Sequence, residues 1–211
     1  MAPGRSTGDA SGPSGHASPP PSWLKTIRLP TTALPKGTSL WRCHRSAEDP
    51  VFFGPGAGNQ PTHRFDAPAG EYQVFYVATD YDGAFVETLL RNPFRRIVDE
   101  SDLAIRNMAV LKNDTPLKLV NAYGAGLSTI GATGALSTGK YTASRRWSLA
   151  LWAHPDRPDG MIYTSRHNNS LLCVAIFDRP HSVISLDHTT PLLSNRKRMS
   201  ELLAAHGKTI G

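Results

Sequence analysis

Residues 74–91 read VFYVATDYDGAFVETLLR, and the class of fold turns on them. Val74–Thr79 is an apolar run rich in aromatic and β-branched residues, which predicts a strand. Asp80 or Asp82 then offers a side-chain oxygen to the first free N–H groups of a helix predicted from Asp82 to Arg91. Asn92-Pro93 stops that helix, because proline disfavours helical geometry in the residue before it. Ala84, Phe85, Val86, Leu89 and Leu90 make most of its surface apolar, so the acidic Glu87 is carried inward with them.

Working outward, Leu117–Asn121, Met161–Ser165 and Leu171–Phe177 also read as strands, each apolar and bounded by turn formers. A second helix is predicted over Ser144–Ala153, with Trp147, Leu151 and Trp152 toward one side and His154-Pro155 as its end. A third is predicted over Asn195–His206, with Ser194 as cap, Met199, Leu202, Leu203 and His206 at helical spacing, and Gly207 just beyond. Strands and helices do not alternate strictly, and glycine-rich stretches separate them. The pattern predicts an α+β fold, not a doubly wound parallel sheet.

The chain has 211 residues, enough for one packed domain and short for two. Residues 1–22 are dominated by Gly, Pro, Ser and Ala and offer almost nothing to bury, so they are set aside as a tail. The domain is placed at 23–190, with 191–211 as a C-terminal helix packed on it or extending it. A net charge of +6 and a pI near 9.5 attract anions of any kind, from nucleic acid to a dinucleotide pyrophosphate. Cys173 lies inside the apolar run 171–177 and reads as a buried thiol. No run is long enough to span a membrane, and the N-terminus lacks the apolar core of a secretory signal, so a cytoplasmic protein is expected.

Several motifs fall away on chemistry. Gly134–Tyr141 nearly matches a phosphate-binding loop, but Tyr141 stands where a Ser or Thr must ligate magnesium, and no apolar strand leads into it. A flexible loop over a cleft is the better reading of that segment. Eight histidines include no pair at helical metal-ligand spacing, and no Cys-x-x-Cys occurs, so no metal site is predicted. Cys43 and His44 are adjacent, which turns their side chains apart in an extended chain. Arg95-Arg96, Arg145-Arg146 and Arg196-Lys197-Arg198 lack interleaved aromatics and read as solvated surface, so no direct nucleic-acid contact is expected.

Leu40-Trp41-Arg42-Cys43-His44, His63-Arg64-Phe65, and Phe75–Thr79 leading to Ala84-Phe85-Val86-Glu87 form an ordered series. Trp147 and Asp159-Gly160-Met161-Ile162-Tyr163-Thr164-Ser165-Arg166 continue it. In order and spacing this series resembles the RES domain, named for its Arg, Glu and Ser residues and found mostly as the toxin of toxin–antitoxin pairs. The step from the Tyr76 strand to Glu87, eleven residues later, carries most of the likeness. One departure is Tyr163-Thr164 before Ser165, where many members have Val-Pro.

The resemblance implies an ADP-ribosyltransferase-like single domain with a split, mixed β-sheet flanked by short helices. It implies NAD⁺ as substrate, with no further cofactor. Cleaving the nicotinamide–ribose bond needs no general acid, since the leaving nicotinamide already carries the positive charge that departure cancels. A carboxylate can instead stabilise the ribosyl cation, and Glu87 matches the family's catalytic Glu. By the same resemblance Arg64 and Ser165 join Glu87 as catalytic residues, and Arg42 and Tyr76 bind NAD⁺ through a guanidinium and an aromatic platform. The implied partner is an antitoxin bearing an Xre-type helix-turn-helix; a homo-oligomer is compatible with the sequence.

The same residues have ordinary uses. Glu87 stands four residues before Arg91, the spacing of a surface ion pair. Tyr76 suits a core, Arg42 and Arg64 suit structural ion pairs, and Ser165 suits a turn. For function, the leading expectation is NAD⁺ degradation, with the acceptor of ADP-ribose left open among water, phosphate and protein. Protein ADP-ribosylation by the same residues and a non-catalytic basic binding module are the alternatives.

Overall fold

The computed structural model describes residues 17–211. In chain order the regular elements are β1 (Thr31–Leu34), β2 (Ser39–Arg45), β3 (Val74–Ala78), α1 (Tyr81–Leu89), β4 (Ile97–Val98), α2 (Glu100–Ala104), β5 (Arg106–Asn113) and β6 (Leu117–Ala122). They continue as α3 (Ala125–Ile130), α4 (Ala135–Thr138), α5 (Tyr141–Trp152), β7 (Gly160–Thr164), β8 (Leu172–Phe177), β9 (Ile184–Pro191), α6 (Arg196–Ala205) and β10 (Thr209–Ile210). No described helix is long and apolar enough to cross a membrane.

Eight strands form one sheet in the order β1-β6-β7-β8-β3-β2-β5-β9. It is mixed, with β6 and β7 parallel and every other pairing antiparallel. It is also split. β3 pairs with β8 through five residue pairs, from Val74↔Phe177 to Ala78↔Cys173, but meets β2 only at Trp41↔Ala78. Past that point β2 and β3 diverge. The α+β class and the split sheet that the sequence led us to expect are both present.

Alternation along β3 builds two cores. Val74 and Ala78 join Phe85, Trp147, Leu151, Met199 and Leu203 beneath α1, α5 and α6. Phe75 and Val77 turn to the other face and join Leu40, Leu111, Leu119 and Ile176, a smaller core to which, among the described residues, no helix contributes. One sheet face is therefore helical and thick, and a side chain's parity on β2 or β3 decides which compartment it enters.

α1 forms where predicted. Asp80 is its N-cap, with Oδ1 accepting from the Gly83 N–H at 2.7 Å. Gly83 lets the helix lie close to the sheet, since a Cβ there would come 2.9 Å from the Ala78 Cβ. Replacing Asp80 with alanine removes the cap under the helix that carries Glu87. We expect a loss of about 1 kcal/mol in denaturant unfolding, with Asp80→Asn losing much less.

Other expectations change. Gly134–Tyr141, expected as a flexible loop, contains α4, and α5 starts at Tyr141, earlier than the predicted Ser144. The cap of α6 is Asn195, which accepts from the Arg198 N–H, whereas Ser194 donates to the Pro191 carbonyl. The tail assigned to residues 1–22 lies outside the described residues as far as residue 16. Beyond it, the Ser18 carbonyl accepts from Trp147 Nε1 at 2.7 Å, so this segment packs on the domain.

Candidate active site

A cleft of about 1610 Å³ opens where β2 and β3 part. Its walls come from β2, β3, α1, the 52–64 loop, the 163–167 turn and the C-terminal residues His206 and Lys208. Six Arg and one Lys line it against two Glu, Glu48 and Glu87, so the chamber attracts anions.

Glu87 enters this chamber from α1, half-buried beside the buried Ala84, Phe85 and Val86. Its Oε1 accepts a hydrogen bond from the Arg166 N–H at 3.1 Å. The helical ion pair with Arg91 does not form: the Arg91 Nε donates to the Glu87 backbone carbonyl at 2.5 Å. Among the described residues no cationic side chain bridges the carboxylate, which leaves it able to face a developing positive charge.

Ser165 is buried at the end of β7, but its hydroxyl does not reach Glu87. The Oγ accepts from the N–H groups of His167 at 3.1 Å and Asn168 at 3.3 Å, closing the turn that follows. That turn presents the Arg166 N–H to Glu87. Ser165 therefore acts on the carboxylate through the backbone. His167 in the same turn is shifted toward its neutral form by burial, a tendency that Glu87 opposes and that Arg166, Arg91 and Arg64 reinforce.

Arg64 is buried, with Nη1 donating to the Gly139 carbonyl at 2.7 Å and to Ser144 Oγ at 3.1 Å. Its guanidinium lies 4.6 Å from the Tyr141 ring centroid, and Nη2 is buried without a partner among the described residues. The segment that nearly matched a phosphate-binding loop thus serves as the far wall against which Arg64 is clamped.

Tyr76 lines the cleft with its hydroxyl fully committed. It donates to Asp66 Oδ1 at 2.8 Å and accepts from the Phe65 N–H at 2.9 Å. Burial, followed by the nearby Asp66 charge, pushes this phenol well above its ordinary range, so it stays protonated. Tyr163, the departure from the family pattern, packs edge-on against Phe65 with centroids 4.7 Å apart.

Arg42 does not converge with the others on Glu87. Its neighbours on β2, Trp41 and Cys43, pack with the helical core, whereas the Arg42 guanidinium lies 4.8 Å from the ring of Phe75, which belongs to the smaller core. Nη1 donates to the Phe52 carbonyl at 3.1 Å. The alternation of β2 sends it to the opposite sheet face, where it lines the cleft from beyond the split.

The residue that sequence reading missed is Asp66. It is 1% exposed and accepts from the N–H groups of Thr62 and His63 as well as from Tyr76. Burial alone disfavours its charge, but the hydrogen bonds from His63, Tyr76 and Thr62 outweigh that and hold its pKa below the usual range. The available signal was an Asp four residues after Thr62 in a polar loop, a spacing suited to capturing free N–H groups.

Cys43 and Cys173 are both free and buried. Burial drives the Cys43 thiol up to about 12 and raises Cys173 as well, so neither is a thiolate at neutral pH. Among the described residues no three His, Cys, Asp or Glu side chains converge to hold a metal ion.

A curated relative, the probable toxin y4kH of Sinorhizobium fredii, is 35% identical over 71 residues, 34% of this chain and 55% of the relative. The chain thus spans about half the length of that relative. The crystal structure of the M. tuberculosis MbcT–MbcA toxin–antitoxin complex shares the fold, with a TM-score of 0.59 over 79% of this chain and 92% of that chain at 13% identity. The RES domain model matches residues 39–194, from the first residue of β2 to the turn that precedes α6, and so takes in Arg64, Glu87 and Ser165. The chain belongs to the RES domain family.

Proposed function

We propose that this chain cleaves the nicotinamide–ribose bond of NAD⁺, and does so as the toxin of a toxin–antitoxin pair. The observation that carries the reading is Glu87: a carboxylate in a strongly basic cleft, oriented by a backbone N–H and, among the described residues, not bridged by a cationic side chain. An anionic dinucleotide is drawn into such a chamber by its pyrophosphate, and the Glu87 carboxylate then meets the cation that forms at the ribose.

The division of labour follows from the contacts. Glu87 stabilises the ribosyl cation electrostatically and moves no proton. Arg64, clamped by Gly139 and Ser144, lines the cleft with a fixed positive charge for the phosphates, its Nη2 buried and unpaired among the described residues. Tyr76 supplies an aromatic wall held rigid through Asp66. Ser165 and the Arg166 N–H hold the carboxylate in one orientation.

The toxin reading is supported by the family and by two relatives, one named a probable toxin and one solved with its antitoxin. On that support the partner is a protein that occupies or covers the cleft, with an Xre-type antitoxin as the expected kind. The cytosolic NAD⁺ pool is the target.

The test is to incubate the purified full chain with NAD⁺ and follow nicotinamide by chromatography. Release at a rate proportional to protein is expected. No release at any protein concentration sinks the reading, and radiolabel from adenine-labelled NAD⁺ appearing on protein redirects it to ADP-ribosyl transfer.

A further inference from the structure

His63 stands on the cleft wall with 51% of its side chain exposed and its ring centroid 5.2 Å from that of Tyr76. Its Nδ1 lies 2.8 Å from Thr62 Oγ1 and 3.6 Å from Asp66 Oδ2. Thr62 Oγ1 in turn lies 3.4 Å from the same carboxylate oxygen. Asp66 is buried and only accepts, so the Thr62 O–H points to it and the Thr62 oxygen accepts from Nδ1–H. A bare lone pair on Nδ1 would face the carboxylate and be repelled. Both arguments place the proton on Nδ1 and the lone pair on Nε2. Among the described residues nothing engages Nε2.

From this arrangement we infer that His63 is the general base of the reaction, accepting the proton of the water that captures the ribosyl cation. The inference rests on the NAD⁺-cleavage reading and deepens it by naming the acceptor. The water oxygen forms a bond to the ribose C1′ as the C1′–N bond to nicotinamide breaks. That bonding pair returns to the pyridine nitrogen and cancels its positive charge. The water proton passes to His63 Nε2 and then to solvent, leaving ADP-ribose, nicotinamide and one proton.

Glu87 and His63 thereby divide the chemistry. The carboxylate meets the cation, and the imidazole serves the nucleophile. Asp66 and Thr62 are positioning residues that hold the tautomer. The other charged or titratable groups against His63 are Tyr76, through its ring, the neighbouring Arg64, and Arg145, whose Nε donates to the His63 carbonyl at 3.0 Å. Only a neutral imidazole can accept the proton, so the acid-side fall in activity should depend on this residue.

The experiment measures nicotinamide release against pH for the natural chain, His63→Ala and His63→Gln, each checked by thermal melting, with the product analysed after reaction in ¹⁸O-water. The expected results are kcat lower by about 100-fold in both variants, KM little changed, loss of the acid-side fall, and partial recovery of His63→Ala by added imidazole. The ADP-ribose should carry one labelled oxygen.

An active natural chain whose variants keep the same pH profile, or lose rate without imidazole rescue, overturns the inference and leaves NAD⁺ cleavage standing. So does ADP-ribose found on phosphate or protein in place of water. Absence of nicotinamide release from the natural chain overturns the parent reading, and this inference with it.

Discussion

Glu87→Gln should lower nicotinamide release by about 100- to 1000-fold while leaving the fold intact. The amide has the same shape, and its oxygen can still accept from the Arg166 N–H that binds Glu87 Oε1 at 3.1 Å. What disappears is the negative charge. Removing a preorganised group from a site where charge develops costs about 2.7–4 kcal/mol in activation free energy, which sets the size of the effect. The stability change should be small, because the described carboxylate makes no ion pair and Glu87 is only half-buried on α1.

The check is kcat by nicotinamide chromatography together with a melting curve. An unchanged melt with kcat reduced by less than threefold would show that Glu87 serves α1 and not the chemistry. A reduction accompanied by a collapsed melt would point to structure instead. Glu87→Asp separates charge from reach: it keeps the former but retracts from the Arg166 N–H, so it should fall between the natural chain and the glutamine variant.

The sequence revealed the centre of this molecule more clearly than its edges. β3, β6, β7 and β8 were legible because they lie inside the sheet and bury both faces, which writes a continuous apolar run. β9, at the sheet edge, is largely exposed, so Asp187-His188-Thr189-Thr190 looks like a loop until its pairing with β5 is known. β2 mixes Arg42, His44 and Arg45 among its apolar residues because it borders the cleft. Its strand character comes from seven residue pairs with β5 and not from its own composition.

The site was legible in part for the same reason. The resemblance located Glu87, Arg64, Tyr76 and Ser165, and all four surround one cleft or the turn that shapes it. It could not show how they act on one another. Ser165 works through the Arg166 N–H, a backbone route that residue identity does not encode. The resemblance gave Arg42 to NAD⁺ binding without saying from which side it reaches the cleft. One step of strand alternation carries it to the other face of the sheet. Asp66, which has the densest set of hydrogen bonds near the site, looked like any polar loop residue.

Arg64→Ala is expected to reduce kcat/KM by about 100-fold and also to weaken the fold, and the two effects can be separated. In the natural chain one guanidinium spans two walls of the cleft. It ties the His63-Arg64-Phe65 segment to Gly139 and to Ser144 at the start of α5, with Tyr141 4.6 Å from its face. Truncation takes that donor from the part-buried Gly139 carbonyl and from the buried Ser144 Oγ, and an unmet buried acceptor costs about 1–3 kcal/mol. It also removes the positive charge that lines the cleft, together with Nη2, which is buried and unpartnered among the described residues.

Arg64→Lys discriminates between these losses. An ammonium can reach one of the two acceptors and preserve the charge, but it has no planar fork with which to hold the wall and a ligand at once. We expect the lysine variant to regain most of the melting temperature and little of kcat/KM. Full recovery of both would mean that a point charge suffices. Recovery of neither would assign Arg64 to the packing of Tyr141 and α4, since that stacked contact is what both substitutions lose in common.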